Sequence, residues 1–447
     1  MKKVIAFACL SMLPLTYVAA EGYQVNAQSS KQAGMGHVGV AMKLGAESMH
    51  FNPAGLGFLN KNVDLSAGVS GVFATAEYSK DAYKHKSDND PSTPMYLYAG
   101  FKIYDFLSAG VSMTNPYGSA MNWGDNWKGA YLVQDIALKS FSIQPTVSWK
   151  IMDRLSVGAG LMVMFGDFSL SRAFVSSQEL GTLGEVIPAL KPLAEKYKDI
   201  TPISVNLSGK SELKLGYNVG AMFDITDQVT IGVSYRSKVN MSVAEGTAVV
   251  SYANESELKP VLGDKVPPFD RGYFKAALPL PSNWNVGVSY RPNDRWLVSG
   301  EVQFVGWGAY KSLAVDFYPR EELGKFDQNP MKNYENTRIY RVGTEFAATK
   351  RLDVRLGAYF DESPVKTDYL NPETPSMNKL GLTTGLSFRP LNNFSIDFAF
   401  SYVTGFGRDG SYEDLSPILP APLNKRKFEG HYDVHAFTPS LGLSYAF

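Results

Sequence analysis

The 447-residue sequence is almost without cysteine, and its charges cancel. Its single cysteine, Cys9, lies near the N-terminus, so the rest of the chain offers neither a disulfide nor a cysteine-based metal site. Lysine plus arginine and aspartate plus glutamate each number 43, which argues against bulk electrostatic attraction to nucleic acid. No long uninterrupted apolar run follows the first twenty residues, so the sequence predicts no membrane-spanning helix.

The first twenty residues have the pattern of a secretory signal. Two lysines precede a short apolar core, Val4–Leu15, and Val18–Ala20 is a small-residue cleavage site. The core is too short to cross a bilayer as a helix. We therefore expect residues 1–20 to be removed and Glu21 to begin the mature protein, which would contain no cysteine.

The C-terminal segment His431–Phe447 alternates between large apolar and small or polar side chains. A period of two indicates a β-strand with one apolar face. The strand that closes an outer-membrane barrel turns such a face to lipid and carries an aromatic residue at the interface. From this segment alone, the C-terminal strand of a soluble β protein stays open as an alternative. The apolar face carries Phe437, Leu441, Leu443, Tyr445 and Phe447.

The same alternation recurs along the chain and predicts an all-β protein, a transmembrane antiparallel β-barrel of about 14 strands. A composition with 13% aromatic residues and 40 glycines suits such a barrel. Short and long connections alternate, which places the short turns in the periplasm and the long loops outside the cell. The predicted strands are Val63–Tyr78, Met95–Tyr104, Leu107–Tyr117, Ala130–Lys150, Leu155–Phe174, Ile203–Asp224, Val229–Val250, Asn283–Arg291, Trp296–Tyr310, Tyr334–Ala348, Leu352–Asp361, Lys379–Arg389, Phe394–Phe406 and Tyr432–Phe447.

One long loop has helical periodicity. Leu183, Ile187 and Leu190 belong to an apolar set spaced three and four residues apart. Pro188 and Pro192 favour two short helices over one. This apolar face could pack on its neighbours or line a groove through which an apolar ligand approaches, and the sequence leaves both open.

Three arginines are candidates for a cation inside the barrel. Arg341 and Arg355 fall on the lumen face of their strands, and Arg236 is placed there as well. They could bind the carboxylate of a ligand, or they could form ion pairs that brace the barrel. Both alternatives stay open.

The N-terminal stretch before the first strand does not alternate and contains the tetrapeptide Asn52-Pro53-Ala54-Gly55. With Glu21-Gly22-Tyr23 at the expected mature N-terminus and a Gly/Ala-rich run between, it resembles the plug, or hatch, of the FadL/TodX family of outer-membrane hydrophobic-compound transporters. The segments that carry the resemblance further, in order, are Asn115–Gly118, Trp127, Gln144–Pro145, Lys150–Gly158, Leu278–Gly287, Glu301–Trp307 and Tyr334–Pro364.

The resemblance implies a hatch of residues 21–62 inside a barrel of residues 63–447. It also implies passive uptake of long-chain fatty acids or similar hydrophobic molecules. Ligand would land between the third and fourth extracellular loops, here 175–202 and 251–282, and bind in an upper-barrel pocket. A shift of the hatch near Glu21–Val25 would release it sideways at a kink in the third strand.

The candidate kink is Asn115, Pro116 and Gly118, because proline lacks an amide donor and glycine is permissive. Alternatively, this motif merely ends the strand. The expected partners are a hydrophobic small molecule, outer-membrane lipid and the barrel-assembly machinery, which would recognise Phe447. The resemblance suggests a monomer, and neither a metal nor a cofactor is expected.

Other functions are weaker interpretations of the same sequence. The runner-up is an adhesin or receptor barrel without transport. His85 and Ser87 have the spacing of an outer-membrane phospholipase, but they lie in a charged loop. The glycines of Gly34–Gly39 spell a dinucleotide motif without a preceding strand. His431 and His435 would lie too far apart on a strand to share a metal.

Overall fold

The computed structural model describes residues 23–262, 266 and 272–447. The predicted signal and the hatch residues Glu21 and Gly22 lie outside this part of the chain. The strands are β1 Val63–Ser70, β2 Phe73–Lys80, β3 Tyr83–Lys86, β4 Met95–Tyr104, β5 Leu107–Thr114, β6 Gly118–Asn122, β7 Asp135–Met152, β8 Leu155–Val175, β9 Ile203–Lys210, β10 Lys214–Asp224, β11 Val229–Arg236, β12 Val239–Tyr252, β13 Gly272–Leu280, β14 Asn283–Asn293, β15 Trp296–Val305, β16 Val315–Tyr318, β17 Thr337–Ala347, β18 Leu352–Asp361, β19 Lys379–Leu391, β20 Phe394–Gly405, β21 Arg408–Leu415 and β22 Lys425–Ala446.

The helices are short. Among the described residues, none is both long and apolar enough to span a bilayer. The α-helices are α1 Ser30–Ala33, α2 Ser48–Phe51, α3 Ser177–Val186, α4 Lys191–Lys196, α5 Glu255–Leu262 and α6 Arg320–Leu323, and 3₁₀ turns cover Gly45–Glu47, Pro53–Phe58, Pro188–Leu190, Trp307–Ala309 and Gly324–Phe326.

The strands close into one antiparallel ring, which confirms the predicted 14-stranded barrel. Neighbouring strands of the ring pair with each other, and β1 closes the ring by pairing with β22, with Asp64 opposite Ala446; β3 forms a hairpin with β2. We number the ring as wall strands 1 to 14. They are, in order, β1 with β2, β4, β5 with β6, β7, β8, β9 with β10, β11 with β12, β13 with β14, β15 with β16, β17, β18, β19, β20 with β21, and β22.

The two faces of the wall follow the alternation in the sequence. In wall strand 14, Leu441 and Leu443 stay exposed on the outer face, whereas Ser440 is buried on the lumen face. On the outer face Phe73 stacks on Phe437 of the neighbouring strand, with ring centroids 4.7 Å apart. Apolar side chains that remain exposed in this regular band provide the surface that a lipid bilayer needs.

Several strands extend beyond the predicted bounds. Wall strand 8 begins at Gly272, and the hairpin of β21 with β22 occupies most of the predicted loop Gly407–His431. β16 likewise lies inside a predicted loop, whereas wall strands 4 and 10 begin later than predicted, at Asp135 and Thr337. Hydropathy alternation marks only the part of a strand that faces lipid. Above the membrane both faces can be polar, so the ladder continues without that signal.

The described part of the hatch, residues 23–62, lies inside the ring. Its backbone carbonyls accept hydrogen bonds from lumen-facing side chains around the wall. Tyr98 donates to Gln28 O at 2.9 Å. Ser289 donates to Ala41 O at 2.8 Å. These contacts satisfy buried backbone groups that have few helix or sheet partners of their own.

Candidate functional site: the hatch, the interrupted third strand and the lumen

A row of lumen-facing glycines lets the hatch backbone lie directly on the wall. A Cβ added at Gly232 would lie 2.0 Å from Val40 O, and one at Gly343 would lie 2.2 Å from Met35 O. Atoms do not approach that closely, so a side chain at either position would displace the hatch. Glycines recurring on the lumen face of successive strands would have been the signal in the sequence.

Asn52, the first residue of the NPAG motif, ties three backbone groups together. Its side-chain amide donates to Val40 O at 2.7 Å and to Ala221 O of the wall at 3.0 Å. Its carbonyl oxygen accepts from Ala54 N at 3.1 Å, which caps the 3₁₀ turn that starts at Pro53. Asn52 is fully buried. The motif therefore fixes the fold of the hatch and its height in the barrel.

Glu301 of wall strand 9 holds another part of the hatch. One carboxylate oxygen accepts from the amides of Gly39 and Val40, at 2.8 and 2.9 Å. The other oxygen pairs with Arg341 at 3.2 Å. Two amides and a guanidinium thus satisfy one buried carboxylate, as buried charges require. Alternation along the strand gives no sign of this contact between Glu301 and the hatch.

The remaining candidate arginines are also engaged with protein groups. Arg355 pairs with Glu345 at 2.7 Å and lies 3.8 Å from Asp397. Lys31 of the hatch also lies 3.8 Å from Asp397. Arg236 donates to the backbone oxygen of His50 at 2.7 Å. The structure therefore places Arg355 in an ion-pair network, and a role in ligand binding stays a prediction for all three arginines.

Arg236 and Arg341 line a small polar cavity of about 50 Å³ beside the hatch histidines. Burial, helped by Arg341, lowers the pKa of His37 to about 3. Burial and Arg236 hold the pKa of His50 well below its ordinary value. Both imidazoles are thus neutral at neutral pH. The positive charge facing this cavity comes from the two arginines.

The Asn115–Gly118 motif interrupts wall strand 3. Thr114 lies opposite Ser142, and the ladder resumes with Gly118 opposite Lys139. The chain advances four residues in wall strand 3 but three in wall strand 4, so wall strand 3 contains one extra residue. β6 continues beyond the break, so the motif does not end the strand. β6 pairs with β7, whereas β5 pairs with both β4 and β7. The wall is therefore irregular on the side of wall strand 2.

The N-terminus of the described hatch supplies partners at this interruption. Val25 N donates to Pro116 O at 3.0 Å, and Gly118 N donates to Tyr23 O at 2.8 Å. Gln24 and Tyr117 form a bridge between these bonds. The hatch thus completes the ladder as a short added strand. Movement of residues 23–25 would leave this part of the wall unpaired.

An apolar pocket of about 60 Å³ lies against the same end of the hatch. The ring of Tyr23 meets Trp307 edge-on with centroids 4.7 Å apart, and the Tyr23 hydroxyl donates to Pro279 O at 3.3 Å. None of the three candidate arginines lines this pocket. Its apolar lining includes Tyr23, Ile136, Leu138, Phe168, Met241, Val243, Leu278, Tyr310 and Leu313.

The predicted loop helix is broken near the prolines, as expected. α3 begins with a capping box of Ser176 and Glu179 and ends at Val186, and α4 follows from Lys191. Leu183 and Leu190 are buried, whereas 41% of Ile187 is exposed. Leu183 and Leu190 thus pack on neighbours, and Ile187 is the one of these three that faces outward.

The third and fourth extracellular loops meet through these helices. Lys196 at the end of α4 pairs with Glu257 of α5 at 2.5 Å, and the Tyr197 hydroxyl donates to Glu257 at 3.0 Å. The Lys196 and Glu257 side chains lie at the molecular surface, whereas Tyr197 is buried. The contact therefore joins the two loops.

His85 and Ser87, the phospholipase-like pair, have structural partners. The His85 ring contacts Trp123 O at 2.7 Å and stacks on Trp127 with centroids 5.5 Å apart. The buried Ser87 hydroxyl accepts from Ala76 N at 2.9 Å. Among the described residues, no cluster of three or more His, Cys, Asp or Glu side chains could hold a metal ion.

The fold and its hatch define an outer-membrane barrel of a known class. A family model described as "Outer membrane protein transport protein (OMPP1/FadL/TodX)" matches residues 11–447, and the chain belongs to this family. The predicted family and the bacterial outer-membrane location are therefore confirmed.

Individual relatives are distant in sequence and similar in length. The "Long-chain fatty acid transport protein" of Salmonella typhi is 22% identical over 87% of this chain and 89% of its own. The crystal structure of a Pseudomonas aeruginosa FadL homologue covers 95% of this chain and all of its own, with a TM-score of 0.80 and 18% identity. The Pseudomonas putida toluene transporter TodX covers 96% of this chain and all of its own, with a TM-score of 0.70 and 15% identity. At these identities the solved structures support the fold alone.

Proposed function

We propose that this protein passively takes up long-chain fatty acids or similar hydrophobic small molecules across the outer membrane. Ligand binds at the apolar pocket beside Tyr23, which widens from about 60 Å³ as the N-terminus of the hatch shifts, and ligand leaves sideways at Asn115–Gly118. The observation that carries this proposal is that one segment, Tyr23–Val25, both bounds the apolar pocket and completes the interrupted strand. The names of the relatives, which transport fatty acids or toluene, support the same class of ligand.

The energetics favour such a route. Each CH₂ group moved from water to an apolar site contributes about 0.8 kcal/mol, so a long acyl chain avoids a water-filled pore. The pocket supplies an apolar surface, and lateral release leads straight into lipid. The chemistry needed is binding and conformational change, without bond making.

The domain division, the oligomeric state and the route of assembly belong to the same proposal. Residues 21–62 act as the hatch and residues 63–447 as the barrel, after removal of residues 1–20. The exposed apolar band contacts outer-membrane lipid, and the protein works as a monomer. Phe447 is the residue that the barrel-assembly machinery recognises at the C-terminus.

A disulfide can test whether the hatch must leave the third strand. Gln24 and Tyr117 form a bridge and both line the polar cavity. In cells that lack their own fatty-acid transporter, the Gln24→Cys/Tyr117→Cys variant should take up tritiated palmitate only after reduction. Each single variant is the control and should not respond to reductant. Uptake by the oxidised double variant at the unmodified rate would refute the release step.

Uptake by the unmodified protein tests the function itself. Expression should raise palmitate uptake above that of cells with an empty vector. The purified protein in detergent should bind palmitate saturably. If neither occurs, the proposed ligand class is wrong.

A further inference from the structure

The barrel wall has a second irregular region, between wall strands 6 and 7. The ladder is regular below it, up to Asn218 opposite Arg236, and regular above it from Ser208 opposite Thr247. Between these pairs, residues 209–217 of one strand and 237–246 of the other have no register pairing. The irregularity lies within the wall, because regular pairing flanks it on both sides.

Each of these strands carries an extra residue in this region. Lys210 lies opposite Asp167 and Lys214 lies opposite Met164. The chain thus advances four residues in wall strand 6 but three in wall strand 5. On wall strand 7, the pairing with wall strand 8 slips between Val243 and Gly246. Bulges re-aim side chains and interrupt pairing. Two bulges on facing strands account for the missing ladder.

A small polar contact spans the region. Glu212 N donates to Ser242 O at 2.9 Å, and the Ser242 hydroxyl donates to the Glu212 carboxylate at 2.8 Å. Lys214 pairs with the same carboxylate at 2.9 Å. About half of the Glu212 side chain is exposed. Exposed pairs of this kind contribute about 0.2–1 kcal/mol. At the lower end of the region Ser237 N donates to Tyr217 O and the Ser237 hydroxyl accepts from Tyr217 N, both at 2.9 Å, so the weakly held part of the two strands lies above this pair.

The irregular region separates two cavities. On the lumen side, Met241 and Val243 form part of the apolar pocket, and Ser211 lines both cavities. On the outer side, a crevice of about 840 Å³ is lined by groups that include Lys210 and Glu212. The apolar pocket is therefore flanked by the hatch end that closes wall strand 3 and, on its other side, by this loosely paired part of the wall.

The crevice lies at the outer boundary of the lipid-facing band. Lys139 and Asp167 line it and face each other in register, and the next outward pair below them is Phe141 with Phe165, stacked at 5.4 Å. A charged pair directly above an aromatic pair marks the level where lipid gives way to head groups. Beside the crevice, Leu213 is 69% exposed, which presents an apolar surface to an acyl chain.

We propose that this region is a second lateral port, through which a single-chain amphiphile held in the outer leaflet enters the apolar pocket tail first. The inference rests on the proposed uptake function. The polar head stays among the charged groups of the crevice while the chain passes between wall strands 6 and 7. The interruption in wall strand 3 then serves release, on the other side of the pocket.

A disulfide across the contact tests the port, because the only cysteine of the sequence is Cys9. The Glu212→Cys/Ser242→Cys variant, when oxidised, should take up tritiated palmitate severalfold more slowly than when reduced. The matched control is Ala221→Cys/Val233→Cys, which links the same two strands where they pair regularly. The control should take up palmitate equally well in both redox states.

The outcomes separate the port from the transport function. Equal uptake by the oxidised and reduced Glu212→Cys/Ser242→Cys variant, with a disulfide demonstrated by mass spectrometry, would refute the port. If the Gln24→Cys/Tyr117→Cys disulfide still blocked uptake in that case, the transport function would stand. Absence of protein-dependent palmitate uptake even in the unmodified chain would overturn both.

Discussion

Replacing Asn52 with alanine should loosen the hatch while the barrel stays intact. The change removes three buried hydrogen bonds, to Val40 O, Ala221 O and Ala54 N. A buried polar group left without a partner costs about 1–3 kcal/mol, so three such losses amount to about 3–6 kcal/mol after partial relaxation. The hatch loses this free energy, because two of the three groups belong to the hatch itself and the third joins the hatch to the wall.

Hydrogen exchange of hatch amides measures this loss directly. A loss of about 4 kcal/mol raises the equilibrium constant for opening of the hatch by roughly a thousandfold, since 1.4 kcal/mol is a factor of ten. Amides of residues 39–55 should lose protection by this amount in Asn52→Ala, whereas amides of β18 and β19 should keep theirs. Asn206→Ala is the control, because the Asn206 side chain is exposed and has a single contact, at 3.5 Å.

Unchanged protection of the hatch in Asn52→Ala would refute this reasoning. It would mean that the glycine row and the Glu301 contacts hold the hatch without the motif. Loss of protection throughout the barrel would also contradict it, since the hatch and wall would then unfold as one unit. Faster palmitate uptake with a loosened hatch would connect docking to gating.

Three further changes test other contacts of the hatch. Gly343→Val should prevent the hatch from seating, because its Cβ would lie 2.2 Å from Met35 O, whereas Gly300→Ala, with its nearest atom at 3.9 Å, should be neutral; protease sensitivity of the hatch distinguishes them. Glu301→Ala leaves two hatch amides and a buried guanidinium unpaired and should weaken docking by about 3–5 kcal/mol, measured by hydrogen exchange. Acidification from pH 7 to 5 should weaken docking by about 2 kcal/mol through His37, because His37 has a pKa of about 3 when docked and 6.5 when exposed, so only the released hatch takes up the proton. The His37→Phe variant should lose this contribution and keep the one from His50, whose pKa is also held well below its ordinary value, and an unchanged slope in that variant would contradict the assignment.

The sequence predicts the lipid-facing half of this protein well. Alternation in segments such as Leu352–Asp361 identified the strands because one face of each must be apolar. The same argument could not find β21 or the start of β22, where the outward face is polar and the apolar side chains, Tyr412 and Phe428, face inward. The predicted strand ends are wrong where the strands leave the membrane, because lipid no longer requires an apolar outer face there.

The lumen was harder to predict because its contacts cross long distances in sequence. Alternation along the strands placed Arg341 and Arg355 on the inner face. It could not show that Glu301 pairs with Arg341 and that Glu345 pairs with Arg355. The close approach of Gly343 to Met35 depends on two segments some three hundred residues apart. Periodicity depends on residues that are close in sequence, whereas contacts inside the lumen join residues that are far apart in sequence.

The hatch touches both sides of the seam where the first and last wall strands meet. Ala46 N donates to Asp64 of wall strand 1 at 3.1 Å, and Lys31 donates to Ser444 of wall strand 14 at 2.7 Å. A completed ring of paired strands has no opening wide enough to admit a forty-residue segment from the side. Biogenesis therefore has an order in time: the hatch must be threaded in from an open end or already be enclosed when β1 and β22 zip together. In the second case the hatch is a template around which the wall strands assemble.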